Sequence, residues 1–275
     1  MPNTETVQSG AEAEGARLQQ ENRALKERLQ VIERERIEYL QNISHQLVAP
    51  LNAIKWHIEN LTEARVGIER AKKVLRSIYS QSTLAVHLAK NFNLMSNLEA
   101  DHALSQMREP LLRVNLRRLL VNLADDFQPL AWDQQITIIV EDSRFDNSPE
   151  VLVIKSLISQ TFSNIIENAV KYSSRDTTIE ILGKHVPKEG YFVVSIRNQG
   201  IPLSSEEIAR VFERGFRSHQ AKQRYPAGTG FGLYIAKRIV DIHEGKIMVS
   251  TQGKWTIFEV ALPVDGLKGK ASIRE

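Results

Sequence analysis

Apolar residues recur at helical spacing over the first hundred positions of the chain. Leu18, Asn22, Leu25, Leu29, Ile32 and Arg36 fall at alternating steps of four and three, with Glu and Arg filling most places between them. That is a coiled-coil pattern with polar residues in its seam, and a lone solvated helix is its blander alternative. The stripe shifts by one residue and continues through Leu40, Ile43, Leu47, Leu51, Ile54, Ile58 and Leu61. After a break at Glu63–Gly67, a second amphipathic segment carries Leu75, Ile78, Ala85, Leu88, Phe92, Met95 and Leu98. Two long helices and a short loop predict a helical hairpin. Each stripe is wide enough for more than one neighbour, so pairing two hairpins into a dimeric four-helix bundle would bury what a single hairpin exposes. Residues 1–15 lack periodicity and are expected to be a disordered tail or a domain boundary.

Past a linker at 101–110 the pattern becomes mixed. Asn115–Leu130 and the strongly periodic Ile154–Tyr172 read as helices, as does Gly230–His243. Ile136–Val140, Ile179–Leu182, Phe192–Arg197, Lys246–Thr251 and Thr256–Leu262 are rich in strand formers. Strands in runs, with helices between them and no repeating βαβ unit, predict an α+β sandwich. The expected order is therefore multidomain: a coiled-coil helix over 16–38, an all-α hairpin over 39–100, an α+β domain over 111–264 and a short tail over 265–275.

Composition narrows the class. Two or so domains fit 275 residues, and 42% hydrophobic content is ordinary for a globular chain. No apolar run approaches the ~20 residues needed to span a bilayer. The N-terminus has no signal-peptide pattern, so a cytoplasmic location is expected. Zero Cys excludes disulfides and cysteine-ligated zinc. With 36 Lys+Arg against 33 Asp+Glu, the net charge of +3 argues against a dedicated nucleic-acid binder. The balance hides one local excess: between Arg210 and Tyr225 five bases (Arg210, Arg214, Arg217, Lys222, Arg224) face a single acid, Glu213.

Four segments could carry chemistry. In Ser44–Leu51, His45 lies two residues from both Ile43 and Leu47, roughly 200° around a helix, so it points away from the core stripe. Pro50 cannot donate to the Gln46 carbonyl, which bends the helix beside it. The other histidines, His87 and His243 among them, lack such surroundings and read as structural or solvated. In the second segment, Asn164, Asn168 and Lys171 stand at i, i+4 and i+7, opposite Phe162, Ile165, Ile166 and Ala169. Asn can give Mg²⁺ an oxygen without adding charge, and Lys can neutralise phosphate. A polar solvated face is the alternative. In the third, Gly228-Thr229-Gly230-Phe231-Gly232-Leu233 opens a helix, a place where backbone N–H groups cradle anions. The basic, apolar-poor loop 216–227 before it reads as a mobile nucleotide lid. No Lys-Ser/Thr follows the glycines, so this is not a P-loop. In the fourth, Asn198-Gln199-Gly200-Ile201-Pro202 ends a strand with a side-chain acceptor that can read an exocyclic amine, or is an ordinary turn.

Taken together, the order of these segments resembles the transmitter region of a two-component sensor histidine kinase over residues ~16–263. The resemblance implies a Bergerat-type ATP-binding fold behind the hairpin, ATP and Mg²⁺ as cofactors, a homodimer, and a response regulator receiver domain as partner. The upstream sensor domain or sensory partner stays unknown. It implies His45 as phosphoacceptor and Asn168 as the Mg²⁺ ligand. Asn164, Lys171, Tyr172, Asn198, Gly200, Arg217, Gly228, Thr229, Gly230, Phe231, Gly232 and Leu233 would line the nucleotide site. Arg217 lies in the match to the family's phenylalanine box, Phe212–Arg217.

Three departures bear on activity. Gln46 stands where the family has an acid beside the histidine; it can orient the ring but cannot take its proton. Ala49 replaces the Thr or Asn that positions water for dephosphorylation, so a weak phosphatase is expected. Asn198 replaces the adenine-reading Asp, and Pro202 the second glycine of that box. The alternatives are a degenerate ATP-binding scaffold and, more remotely, a Bergerat-fold ATPase in which Glu167 activates water.

Overall fold

The computed structural model describes residues 4–63, 67–99, 109–145, 148–226 and 228–266. The tail expected at 265–275 and the linker expected at 101–110 lie largely outside them, as does the centre of the loop at 63–67. The chain divides into two compact units, residues 1–44 and 45–275.

Helix α1, Thr4–Glu63, contains the whole described part of the first unit. It begins at Thr4, so the segment expected to be a disordered tail is helical from that point on. Leu18, Leu25 and Leu29 of the predicted seam are exposed, at 55–62%.

In the second unit the remainder of α1 is followed by α2, Ile68–Glu99. His57 Nε2 lies 2.8 Å from Ser77 Oγ, linking the two helices. Pro50 sits inside α1, as the sequence requires of a chain helical on both sides of it. The α2 stripe is only partly the expected one. Met95 is fully buried, but Leu75 is 57% exposed, and among the described residues of α2 the other buried positions are Ser80 and His87. Val48, Leu51, Trp56, Ile58 and Val86 are exposed as well.

The α/β part runs β1 (Leu112–Val114), α3 (Leu116–Trp132), β2 (Thr137–Val140), a 3₁₀ turn, β3 (Val151–Val153), α4 (Lys155–Tyr172), β4 (Thr178–Val186) and β5 (Tyr191–Gln199). It finishes with α5 (Ser205–Arg210), α6 (His219–Arg224), α7 (Gly232–Ile242), β6 (Lys246–Gln252) and β7 (Trp255–Pro263). The five-stranded sheet has the order β2-β4-β5-β7-β6, with only the β2–β4 pair parallel. β1 and β3 form a separate antiparallel pair. These two three-residue strands, and the six-residue helices α5 and α6, are too short to leave a period in the sequence.

Alternation sets the core face of the sheet: Phe192, Val194, Ile196 and Asn198 on β5 are buried, and their neighbours are half-exposed. Phe258, Val260 and Leu262 of β7 join them. Against this face lie Phe127 of α3, Ile158, Phe162 and Ile165 of α4, and Ile235 and Ile239 of α7, each 2% exposed or less. Asn115 caps α3, its side chain accepting from Arg118 N.

One histidine joins the two ends of this layer. His243, at the C-terminal end of α7, is 2% exposed; its Nδ1 donates to Ile239 O at 2.8 Å, and its Nε2 accepts from Ile154 N at 3.1 Å. Ile154 is the N-cap residue of α4, so the imidazole satisfies a backbone donor where no side chain caps the helix. Burial lowers the His243 pKa, with the Ile239 hydrogen bond opposing it only in part. A base whose folded pKa lies below its unfolded value of 6.5 leaves stability whole above that value and erodes it as the pH falls below it. Urea unfolding should therefore show a lower midpoint at pH 5.5 than at pH 7.5, and His243→Gln should flatten that difference.

Candidate active site

α4 is sandwiched rather than half-solvated. From Thr161 to Val170 every residue is buried except Asn168. Its apolar residues enter the core, while Gln160, Asn164 and Glu167 are covered by α2. The polar stripe, read from sequence as a ligand-facing or solvated face, is thus split: Asn168 and Lys171 remain open, and Asn164 is 2% exposed.

The covering contacts form one network. His87 Nε2 of α2 lies 2.9 Å from Glu167 Oε2, and Lys171 Nζ lies 2.6 Å from Glu167 Oε1. Gln160 Nε2 donates to Asn91 Oδ1 at 2.9 Å and sits 2.9 Å from His87 Nδ1, which must accept. The ring hydrogen then rides on Nε2, towards Glu167. Asn91 Nδ2 donates to Asn164 Oδ1 at 2.7 Å, and Asn164 Nδ2 has no protein partner. Phe127 of α3 closes the far side of the His87 ring, edge-on at 5.8 Å between centroids.

Burial alone would raise the Glu167 carboxyl, but the Lys171 ammonium and the His87 ring outweigh it and hold the group far below the usual carboxylate range. Lys171 answers in kind: burial would lower it, and Glu167 raises it instead. Both groups stay charged at neutral pH.

Beside this network opens a cavity of about 1040 Å³, its mouth included. α4 contributes Asn164, Glu167, Asn168, Lys171 and Tyr172; the glycine turn contributes Gly228, Thr229, Gly230, Gly232 and Leu233; the hairpin contributes Gln46, Leu88 and Asn91. Asn198 of β5 and Thr256 of β7 pair directly across the sheet, are both buried, and supply polar groups to the wall. Thr256 was missed in the sequence. Its signal was a hydroxyl on the β7 face that otherwise carries Phe258, Val260 and Leu262.

The glycine turn has its own geometry. Gly230 has φ +74°, and a Cβ there would come within 2.7 Å of the Gly215 backbone, so this corner admits only glycine. The turn leads into the N-terminus of α7, whose first N–H groups are suited to an anion. Thr229 Oγ1 accepts from Phe231 N at 3.3 Å.

Several expected residues have other duties. His45 is exposed and does not line the cavity, although its neighbour Gln46 does. Phe231 is also outside the wall, with the Arg214 guanidinium 5.7 Å from its ring centroid. Gly200 lies outside too: a Cβ there would fall 1.9 Å from Tyr172 O, so glycine is required for β5 to pass the end of α4. Arg217 reaches the wall, yet its guanidinium donates to the carbonyls of Ala221, Tyr225, Pro226 and Gly228. Arg224 donates to Tyr172 O and Ser173 O at the end of α4. The described part of the loop expected as a nucleotide lid contains α6, and two of its arginines bind backbone carbonyls.

Residues 154–266 match the family described as histidine kinase-, DNA gyrase B- and HSP90-like ATPase. Over 241 residues, 86% of the chain, it is 28% identical to the sensor protein kinase WalK of Staphylococcus aureus, of which it covers 55%. It covers 38% of the longer form from strain JH9 at the same identity, so the chain spans about half or less of the curated relatives it matches. Among solved structures, the Acinetobacter baumannii histidine kinase AdeS superposes with a TM-score of 0.50 at 18% identity, over 80% of this chain and 98% of that one. Full-length ShkA in complex with AMPPNP gives 0.55 at 22%, over 84% and 46%. Likeness at these identities speaks for the fold, which is that of a helical region followed by a Bergerat-type ATP-binding domain. Residues 154–266 thus match the ATPase family's model, and over most of its length the chain, with its boxes in order behind the hairpin, is similar to sensor histidine kinases.

Gly200→Ala should cost roughly 2–4 kcal/mol, because the clash is with backbone that cannot rotate away. Urea denaturation followed by circular dichroism reads this directly.

Proposed function

We propose that this chain is a protein-histidine kinase that binds ATP with Mg²⁺, phosphorylates His45 and passes the group to an aspartate of a response regulator. The observation that carries the reading is that Gln46, adjacent to the exposed His45, lines the same cavity as Asn168, Lys171 and the glycine turn. Asn198 and Thr256 are suited to the adenine edge, and the turn before α7 to the phosphates. The AMPPNP bound by ShkA supports a nucleotide in this cavity.

The residues fit a metal as well. Asn168 is the one position of the run 161–170 left unburied, and it faces the cavity with a neutral oxygen donor. Bound there, Mg²⁺ would neutralise phosphate charge. Lys171 would add a second positive group, and transfer then depends mostly on positioning and charge. The exposed apolar faces of α1 and α2 support a second copy completing a four-helix bundle, and the exposed seam of α1 a coiled coil before it.

Glu167 argues against the hydrolase alternative. A carboxylate that activates water must be able to take its proton, whereas here Lys171 and His87, beside its two oxygens, hold the Glu167 carboxyl far below the usual carboxylate range.

Incubation with γ-labelled ATP should give acid-labile, base-stable label that disappears in His45→Ala. Label surviving that substitution, or none in the wild type, overturns the reading. Gln46→Glu should speed labelling by about tenfold or more, by restoring a proton acceptor beside the imidazole. Because Ala49 has no polar atom, phosphorylated regulator should keep its phosphate nearly as long with this protein as without it. A regulator dephosphorylation assay with Ala49→Thr should show faster loss.

A further inference from the structure

We infer that His87 and Asn91, on the second helix of the hairpin, are positioning residues for the nucleotide site. Asn91 would set the amide of Asn164, and His87 would set Lys171 through Glu167. The inference rests on the nucleotide reading of the cavity and goes beyond it, since it gives two side chains of the hairpin a part in holding ATP.

Three observations carry it. Asn164 lines the cavity, yet its Oδ1 is occupied by Asn91 Nδ2 at 2.7 Å, leaving Nδ2 as its only unanswered group. The residue also abuts the glycine turn: a Cβ on Gly232 would lie 3.5 Å from Asn164 Oδ1. An amide can present either oxygen or NH₂ to a given direction, and the donor from Asn91 selects one of the two.

The second observation is the sharing of Glu167. Its charge is answered from two sides, by His87 at 2.9 Å and by Lys171 at 2.6 Å. Removing the His87 donor leaves an ionised, buried carboxylate answered by Lys171. In low-dielectric surroundings that strengthens the carboxylate's hold on the ammonium, already 2.6 Å away, and leaves less of its charge to answer a phosphate in the cavity. The third is that Gln160 donates to Asn91 and contacts His87, so the two hairpin side chains are held in one arrangement rather than acting separately.

The test uses the full chain. ATP·Mg²⁺ affinity is measured by equilibrium titration, the rate of His45 labelling at saturating ATP by single turnover, and folding by circular dichroism. His87→Ala and Asn91→Ala should each weaken ATP·Mg²⁺ binding by about tenfold with the spectrum retained. The double variant should lose less than the product of the two, because both act through one network. His87→Gln, whose amide can still donate to Glu167, should recover binding to within about threefold of wild type. Affinities of both alanine variants within about twofold of wild type would overturn the inference, and so would His87→Gln binding as weakly as His87→Ala. If His87→Ala fails to fold, Asn91→Ala and His87→Gln still decide it. A wild type that binds no ATP·Mg²⁺ is a separate result, which removes the nucleotide reading and this inference together.

Discussion

The arrangement around α4 depends on an ionised carboxylate that is almost fully out of water. Glu167 is tolerable there only because two donors meet it, one from its own helix and one from α2. Take either away and an uncompensated charge remains in the interior, a far larger penalty than the loss of a surface ion pair. The hairpin and the ATP-binding domain are therefore joined by a contact that cannot be half-made. It is part of what makes residues 45–275 one compact unit.

The same contact gives α4 two buried sides. Its apolar residues do the ordinary work of packing on the sheet. Its polar residues are sequestered by complementary groups on α2, with amide meeting amide and imidazole meeting carboxylate. Asn168 and Lys171 escape the cover, and they are the two that a metal–phosphate group would need. Sealing one part of the polar stripe while opening the other separates structural polarity from chemical polarity on a single helix.

Much of this was legible in advance. The long helix Lys155–Tyr172 and the strands of the main sheet announced themselves through period and alternation, to within a residue or a few at their ends. The segments holding Asn164, Asn168, Asn198 and the glycine turn were recognisable because their residue types are unusual for their positions. What could not be read were facts about partners. His87 passed for a structural residue because its meaning lies in Glu167, 80 positions away. Sequence counting found the basic loop but not its purpose: Arg217 and Arg224 bind carbonyls of the chain itself. Thr256 was overlooked because one hydroxyl in a strand becomes informative only when Asn198 is seen opposite.

The cavity wall has a further consequence through its three hairpin residues, Gln46, Leu88 and Asn91. Coupling between two binding events is reciprocal. Whatever free energy a nucleotide gains from the docked α2, α2 gains in turn from the nucleotide. If a nucleotide favours the docked arrangement, filling the cavity would tighten the hairpin's hold, and emptying it would loosen the helix that follows His45 in the chain. The occupancy of the cavity would then be a mechanical variable of the helix pair.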